Sequence, residues 1–280
     1  MRLRFTVVDV FSERALAGNQ LAVFTDAREI PADLLQPLAR EVNFSETVFV
    51  YPSAGDGHVR LRIFTPAAEM PFAGHPVLGA AFVLAAPLQL TEIRLETNAG
   101  VVPVHLEREG PRIVFGRMSQ PLPRVEPFAG AAALLGALGV ERSLLPVELY
   151  DLGIRHVFVA LASPEEVAAL EPDFAALARL AGYVGANCFA GSGTRWKTRM
   201  FAPADGVFED PATGSAAGPL AVHLARHGWI SFGEEIEIEQ GAEVGRPSRL
   251  VARAEGSRDE LALVEVGGSA VVVARGEFRL

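Results

Sequence analysis

The chain has 280 residues, half of them hydrophobic, which is enough for two domains with a core each. Its formal net charge is −9 and its sequence pI is about 5.3, and no Lys or Arg cluster interrupts this acidic balance. Nucleic acids and anionic membranes select basic surfaces, so the composition argues against both as partners. The single cysteine, Cys188, excludes an intrachain disulfide, and the N-terminus shows no signal peptide, so we expect a cytoplasmic protein.

The first half of the chain is predicted to be mostly strands. After a helix at 32–41, apolar and alternating segments predict strands at 48–50, 59–64, 93–97, 101–104 and 113–115, with a hairpin turn at 98–100. Residues 71–91 carry no formal charge, but His75 and three prolines interrupt them. The uninterrupted part, 77–86, is too short to cross a bilayer and predicts a helix that is buried on all sides.

The second half combines short helices with further strands. Helices are predicted at 131–138, 165–170 and 174–180, an apolar helix at 220–225, and strands at 235–239 and 250–253. The polar segment 119–124 contains two prolines and is the predicted linker, so we place an N-terminal lobe at 1–118 and a C-terminal lobe at 119–280. A strand at 270–274 completes one of the two lobes, and the sequence leaves open which one.

One sequence pattern occurs twice, about 140 residues apart. Phe-Thr-Pro-Ala at 64–67 precedes Phe-Ala-Gly-His-Pro at 72–76, and Phe-Ala-Pro-Ala at 201–204 precedes Asp-Pro-Ala-Thr-Gly-Ser at 210–215. A Gly followed by a strand-like run stands before each copy, at 18–24 and 153–159. Two matches in the same order predict an internal duplication, and many short strands around one apolar helix per half predict an α+β fold built twice.

In each copy a Gly opens a predicted helix. Free backbone N–H groups at a helix start attract anions, and the helix dipole adds to that attraction. We therefore expect two such helix starts, one per half, to face each other across a cleft and hold one small carboxylate-bearing substrate.

Glu46 and His75 are the candidate chemical groups of the first half. Glu46 precedes a predicted strand among apolar residues, a setting in which a carboxyl group can serve as a general acid or base. The ordinary alternative is a solvated loop or helix-end glutamate. His75 follows Gly74 at the start of the apolar helix, where it either hydrogen-bonds a substrate in its neutral form or simply caps the helix.

Asp210, Gly214 and Ser215 stand at the corresponding place in the second half. Gly214 and Ser215 are candidate donors to a substrate carboxylate, although a serine N-cap is the ordinary alternative. Asp210 before a proline is, on local sequence alone, more typical of a turn or helix cap.

Other kinds of catalytic site are excluded by spacing. The Gly-Ser-Ala-Ala-Gly segment at 214–218 lacks the Gly-x-Ser-x-Gly order of a nucleophile elbow. His223 and His227 have the spacing of a zinc-protease pair, but Leu224 occupies the position where that motif needs a glutamate, so no metal site is predicted. The sequence contains neither a P-loop nor a dinucleotide fingerprint, and nothing in it demands a cofactor.

Taken together, these motifs resemble those of the PhzF family, the phenazine-biosynthesis-like isomerases. The resemblance runs from residue 5 to about 250 and rests on the following segments: Asn-Phe-Ser-Glu-Thr at 43–47, the two copies of the repeated pattern, Asp-Leu-Gly at 151–153 and Gly-Arg-Pro-Ser at 245–248. It implies a diaminopimelate epimerase-like fold: two pseudo-symmetric lobes, each a mostly antiparallel barrel around a central helix, with the active site between them. It also implies a homodimer and cofactor-independent isomerisation.

The resemblance gives each candidate residue a role. Glu46 would take a proton from one substrate carbon and return it to another, while His75 and Asp210 orient the substrate and stabilise the intermediate. Ser45, Gly74, Gly214 and Ser215 would bind the substrate, a small carboxylated metabolite. The two-cysteine mechanism of racemases with this fold is excluded, because the helix starts carry His75 and Ser215. A metabolite-binding protein with little turnover is the alternative function.

Overall fold

The computed structural model describes residues 1–183 and 185–280 and shows a mixed α+β protein, as predicted. The chain divides into two compact units, one formed by Met1–Ser119 with Gly267–Leu280 and the other by Gln120–Val266. Over the described ranges, none of the helices has the length and apolar character needed to cross a membrane. The closed barrel in each lobe stays a prediction.

The first unit is a strand-rich unit with two helices among its described residues. Its elements are β1 (Arg2–Val10), β2 (Asn19–Phe24), α1 (Ala32–Val42), β3 (Glu46–Pro52), β4 (Val59–Phe64), β5 (Glu69–Met70), α2 (Gly74–Leu88), β6 (Glu92–Thr97), β7 (Gly100–Glu109), β8 (Arg112–Ser119) and β18 (Ala270–Arg279). β2 runs parallel to β3, β3 antiparallel to β4, β4 parallel to β6, and β6 antiparallel to β7.

Helix α2 forms the centre of the first unit. Its residues from Gly74 to Phe82 are buried, and it contacts β1, β2 and β8. Gly79 permits this close packing, because a Cβ atom there would lie 2.7 Å from methyl groups of Leu21 and Val10. The uncharged apolar run is therefore explained by burial of the helix from Gly74 to Phe82, whereas Val83 and Leu84 are half-buried and the helix is exposed from Ala86 onward.

The last strand belongs to the first unit. β18 pairs antiparallel with β1 along its length, from Arg2 opposite Arg279 to Val10 opposite Ala270. Which lobe takes this strand was open from the sequence, since the local sequence of a strand carries no information about its distant partner.

The second unit repeats the strand pairing of the first. Its elements are β9 (Arg124–Pro127), α3 (Ala131–Leu138), β10 (Glu148–Asp151), β11 (Arg155–Ala160), α4 (Pro164–Ala168), α5 (Phe174–Arg179), β12 (Gly185–Ser192), β13 (Arg195–Ala202), β14 (Val207–Asp210), α6 (Gly214–Arg226), β15 (Glu235–Gln240), β16 (Ser248–Gly256) and β17 (Leu261–Gly268), the last of which runs into the segment returning to the first unit. β11 runs parallel to β12, β12 antiparallel to β13, β13 parallel to β15, and β15 antiparallel to β16. This order matches that of β2, β3, β4, β6 and β7, in agreement with an internal duplication.

Helix α4 is shorter than the sequence predicted. It spans Pro164–Ala168 rather than 165–170, with the Ser163 hydroxyl accepting a bond from the Glu166 N–H at its start. At its other end the guanidinium of Arg199 donates to the carbonyls of Ala168 and Leu170, at 3.1 and 2.7 Å. These carbonyls are satisfied by a side chain from β13, so the helix needs no further turn.

The loop between β3 and β4 donates several hydrogen bonds to the carboxylate of Glu96. Glu96 accepts a hydrogen bond from the Ser53 hydroxyl at 2.5 Å and others from the backbone N–H groups of Ala54, Gly55 and Gly57 at 2.8–2.9 Å. These bonds, with that of Ser53 the strongest, lower the pKa of Glu96 to about 2.

Glu96 should therefore make the stability of the protein depend on pH. Because its pKa falls from 4.5 to about 2 on folding, the stabilisation is complete above pH 4.5 and disappears as the pH falls toward 2. We expect Glu96→Gln to lower the Tm at neutral pH, and the difference from wild type to shrink below pH 4.5. Thermal unfolding across pH measures this, with Glu92→Gln, whose side chain is 46% exposed on the same strand, as the control that changes little. A Tm difference that stays constant with pH would contradict this role.

Candidate active site

The structure brings Glu46 and His75 together in the first unit. Glu46 is the first residue of β3, where it lies opposite Leu21 of the parallel strand β2, and His75 is the second residue of α2. The Nε2 atom of His75 lies 3.4 Å from Oε2 of Glu46. The His75 side chain is 4% exposed and that of Glu46 16%, so Glu46 is the more exposed member of the pair, while its Oε2 atom, which faces His75, is buried.

Asn19 contacts the second ring nitrogen of His75. Its side-chain nitrogen lies 3.2 Å from Nδ1 of His75, and its Oδ1 accepts a bond from the Ser45 hydroxyl at 3.3 Å. Asn19 is the first residue of β2 and is buried. Ser45, Asn19, His75 and Glu46 therefore form one polar group at the start of α2.

The imidazole of His75 is neutral in this setting. Burial lowers the pKa of His75 to about 3, while a bond to the backbone of Gln20 acts in the opposite direction. The position of His75 at a helix start favours the same neutral form, but burial is the main cause of the lowered pKa. A neutral imidazole donates from one nitrogen and accepts at the other, which suits a group that orients a substrate without adding charge.

The start of α2 offers backbone donors. Gly74 is the first helical residue, and the N-cap residue, Ala73, makes no side-chain cap bond. The first-turn N–H groups of a helix have no partner inside the helix, so a start without a side-chain cap can bind an anion.

In the second unit, Asp210 lies in a rigid turn. It is the last residue of β14, it is buried, and one of its carboxylate oxygens accepts a bond from the Thr213 hydroxyl at 2.6 Å. The Gln240 amide ties the turn to β15, because it donates to the Asp210 carbonyl at 2.7 Å and to the Thr213 hydroxyl at 2.9 Å. Its oxygen accepts from the Thr213 N–H and from the Thr198 hydroxyl, both at 3.2 Å. This turn leads directly into α6.

Ser215 at the start of α6 is held by a buried histidine. Its hydroxyl lies 3.0 Å from Nε2 of His156, a residue of β11, and Asn187 of β12 lies 3.3 Å from the other ring nitrogen. Burial lowers the pKa of His156 to about 3, so this ring is neutral too. Gly214 opens the helix and its carbonyl accepts from Gln120, while Thr213 provides no side-chain cap. The start of α6 therefore combines a buried Ser215 hydroxyl, held by His156, with first-turn backbone N–H groups.

Each predicted site residue occupies one of these two helix starts. Glu46, Ser45, Gly74 and His75 lie together in the first unit, and Asp210, Gly214 and Ser215 lie together in the second. Sequence reasoning missed the buried partners of these residues: Asn19, His156, Asn187, Thr213 and Gln240. A signal for two of them was present, because the repeated Gly-plus-strand segments at 18–24 and 153–159 contain Asn19 and His156.

Substitution of Gln240 tests how much its side-chain amide stabilises the turn between Asp210 and Thr213. We expect Gln240→Leu to lower the free energy of unfolding by about 1–3 kcal/mol, because the N–H of Thr213 loses its buried acceptor. Thr198→Val removes only one of the bonds to this amide and should have a smaller effect. Denaturant unfolding of both variants measures the difference, and equal losses would show that the amide is not the group that holds the turn.

The described residues also contain one cluster with metal-ligand chemistry. Glu148 of β10 lies beside His223 of α6 and His227, the C-cap residue of that helix, with one ligand atom from each residue within 4.8 Å of the others. The carboxylate that the sequence lacked between the two histidines thus comes from a separate strand. This cluster lies at the C-terminal end of α6, a helix length away from Gly214 and Ser215.

This chain matches one protein family, and relatives of nearly the same length, over almost all of its residues. The family model described as phenazine biosynthesis-like protein matches residues 8–276. The chain is 50% identical over 277 residues to trans-2,3-dihydro-3-hydroxyanthranilate isomerase of Pseudomonas aeruginosa, covering 99% of both proteins. The isomerase of the same name from Pseudomonas chlororaphis is 49% identical over 276 residues, again with 99% of both covered.

Solved structures with similar sequences also have the fold of this chain. A predicted epimerase from Pseudomonas aeruginosa superposes with a TM-score of 0.84 at 30% identity, over 99% of both chains. A phenazine biosynthesis protein of the PhzF family from Bacillus anthracis gives a TM-score of 0.85 at 24% identity over the whole of both chains, which shows the shared fold. The chain is therefore an enzyme of the isomerase class and belongs to the phenazine biosynthesis-like (PhzF) family.

Proposed function

We propose that this enzyme isomerises trans-2,3-dihydro-3-hydroxyanthranilate by moving a proton between two ring carbons, with Glu46 as the single acid and base. The observation that carries the proposal is the partly exposed side chain of Glu46, whose carboxylate lies 3.4 Å from the buried ring of His75 at a helix start without a side-chain cap. The 50% identity to an isomerase named for this substrate supports the choice of substrate.

The proposed proton transfer suits the carboxylate of Glu46. Removing a proton from a carbon of the dihydro ring leaves negative charge that spreads through the double bonds toward the ring substituents. Glu46 takes this proton and, once protonated, returns it to a different ring carbon, so the enzyme ends each turnover in its starting state. The reaction is redox-neutral and needs no further proton donor, and we propose that no cofactor takes part.

His75 and the start of α2 would stabilise the charge that develops on the substrate. Fixed donors act most strongly when they are held in place before the reaction, since they need no reorganisation during it. The contacts of His75 with Asn19, and of Asn19 with Ser45, supply this rigidity. Ser45 and Gly74 would bind the substrate, because they directly precede Glu46 and His75 in the chain.

The second unit supplies the remaining groups in this proposal, as the family resemblance implies. The start of α6, with Gly214 and Ser215, has donors suited to the substrate carboxylate. Asp210 is a hydrogen-bond acceptor suited to the amino group of the substrate. The bonds from Thr213 and Gln240 fix Asp210 and its turn, which supports a role in orientation rather than proton transfer.

The proposal is tested by incubating the purified enzyme with trans-2,3-dihydro-3-hydroxyanthranilate in H2O and in deuterated water, followed by NMR. We expect conversion to an isomer of the same mass in H2O. In deuterated water, deuterium should appear at the carbon that gains the proton, to an extent set by exchange of the Glu46 proton with solvent. An analogue without the carboxylate should react much more slowly. Absence of both isomerisation and deuterium incorporation, in a protein that still binds the substrate, would favour a binding protein instead.

A further inference from the structure

A cluster of ligand-type side chains lies outside the proposed active site, at the C-terminal end of α6. His223 lies in the last turn of this helix and His227, four residues later, is its C-cap residue, and β10 supplies Glu148 beside them. Oε2 of Glu148 lies 2.9 Å from Nε2 of His227 and 3.3 Å from Nδ1 of His223. The three groups therefore point at a common region.

These distances are close to those of a metal site. Ligand atoms at about 2.0–2.1 Å from a tetrahedral zinc ion are roughly 3.3–3.4 Å from one another. Two of the separations, 2.9 and 3.3 Å, are near this value, and the three ligand atoms lie within 4.8 Å of one another, so the two imidazole rings would move closer together to hold an ion. The Tyr150 hydroxyl lies 3.1 Å from Glu148 and 3.0 Å from Nδ1 of His223, so a fourth polar atom is adjacent to the three ligand atoms.

The surroundings hold the ligands in place. The His223 ring stacks on Phe158, with 5.7 Å between ring centroids, and meets Phe189 edge-on. Its side chain is fully buried, whereas those of Glu148 and His227 are 14% and 13% exposed, which leaves a way in for a small ion. A rigid, mostly apolar wall with one accessible side is the environment in which imidazole and carboxylate ligands are kept oriented.

The electrostatics also favour a cation. The carbonyl dipoles of α6 place partial negative charge at this end of the helix, next to the Glu148 carboxylate. The nearest cation on the helix, Arg226, donates from Nη1 to the carbonyl of Arg258 at 2.6 Å. Arg226 also interacts with Tyr150 and His223, and the Glu148 carboxylate together with the helix end offsets its positive charge.

We propose that Glu148, His223 and His227 bind a divalent first-row transition ion, with zinc as the best match to two imidazoles and one carboxylate. The ion would join β10 to the end of α6 and stabilise the second unit. This inference is independent of the proposed isomerase reaction, because none of its ligands belongs to the proposed active site.

The test uses untagged full-length protein that has been treated with a chelator and dialysed. Isothermal titration with Zn²⁺ is expected to show one site per chain, and titration with Co²⁺ should give the visible absorption of a tetrahedral ion. Because the buried His223 is needed for packing, the informative variants are His227→Gln and Glu148→Gln. Each should weaken Zn²⁺ binding at least tenfold and remove the Co²⁺ absorption.

The matched control is His105→Gln. His105 also lies 3.4 Å from a glutamate, Glu92, but both side chains are about half exposed and belong to no larger ligand group among the described residues. Zn²⁺ should raise the Tm of the wild type and of this control, but not that of His227→Gln. The proposal is overturned if the wild type binds no Zn²⁺, or if His105→Gln weakens binding as much as His227→Gln does.

Discussion

Replacing Glu46 by Gln is expected to lower kcat by at least about a hundredfold, the usual range for loss of a general acid or base. The amide has nearly the same shape as the carboxylate but cannot take a proton from carbon. The groups proposed to bind the substrate carboxylate, Gly214 and Ser215, are untouched, so KM should change much less than kcat. Steady-state assays with trans-2,3-dihydro-3-hydroxyanthranilate, together with NMR in deuterated water, measure both quantities.

The control for this variant is Glu41→Gln. Glu41 is exposed on α1, five positions before Glu46, and it should retain wild-type kcat. Circular dichroism and thermal unfolding establish that both variants are folded. If Glu46→Gln keeps more than about a tenth of the wild-type kcat, the proton is carried by another group and the single-base mechanism is wrong.

The sequence revealed the residues at the helix starts but not the groups that hold them. Gly74, His75, Gly214 and Ser215 could be found because a Gly opening an apolar helix leaves a local pattern, and that pattern occurs twice. The partners Asn19 and Gln240 come from strands about 55 and 25 residues away in the chain. Their contacts depend on strand register, and register is set by pairing across the unit rather than by local sequence.

The dependence on distant strand pairing also explains which parts of the fold could be predicted from the sequence. The apolar run at 77–86 identifies α2 as a buried helix without reference to any partner. The last strand could be recognised at 270–274, but its position beside β1 could not, because it pairs with residues about 270 positions earlier. Glu148 is a further example: the spacing of the two histidines predicted no metal site, and the local sequence showed no sign of a carboxylate brought beside them by β10.

The largest expected effect on stability comes from one buried ion pair in the second unit. Arg199 donates from Nε and Nη2 to the two carboxylate oxygens of Glu209, at 2.9 and 2.7 Å, and the two side chains are only 9% and 7% exposed. We expect Arg199→Met to lower the free energy of unfolding by about 3–5 kcal/mol, because it leaves the Glu209 charge buried without a partner. Denaturant unfolding, followed by circular dichroism, measures the loss.

This pair also connects the stability of the second unit to its candidate site. Glu209 directly precedes Asp210 on β14, and Asp210 pairs with Met200, the neighbour of Arg199 on β13. Loss of the ion pair therefore loosens the strand that carries Asp210, and we expect kcat/KM to fall in Arg199→Met even at temperatures where the variant is folded.

The matched control is the exposed pair formed by Arg249 and Glu237 on β16 and β15. The Arg249 side chain is 68% exposed, so Arg249→Met should change the free energy of unfolding by less than about 1 kcal/mol. The double variant Arg199→Met/Glu209→Leu removes both buried charges and should recover part of the stability lost in Arg199→Met. If the two single variants lose the same stability, burial does not govern the strength of the Arg199 pair. Recovery of stability without recovery of kcat/KM in the double variant would show that the pair orients Asp210 as well as holding the fold together.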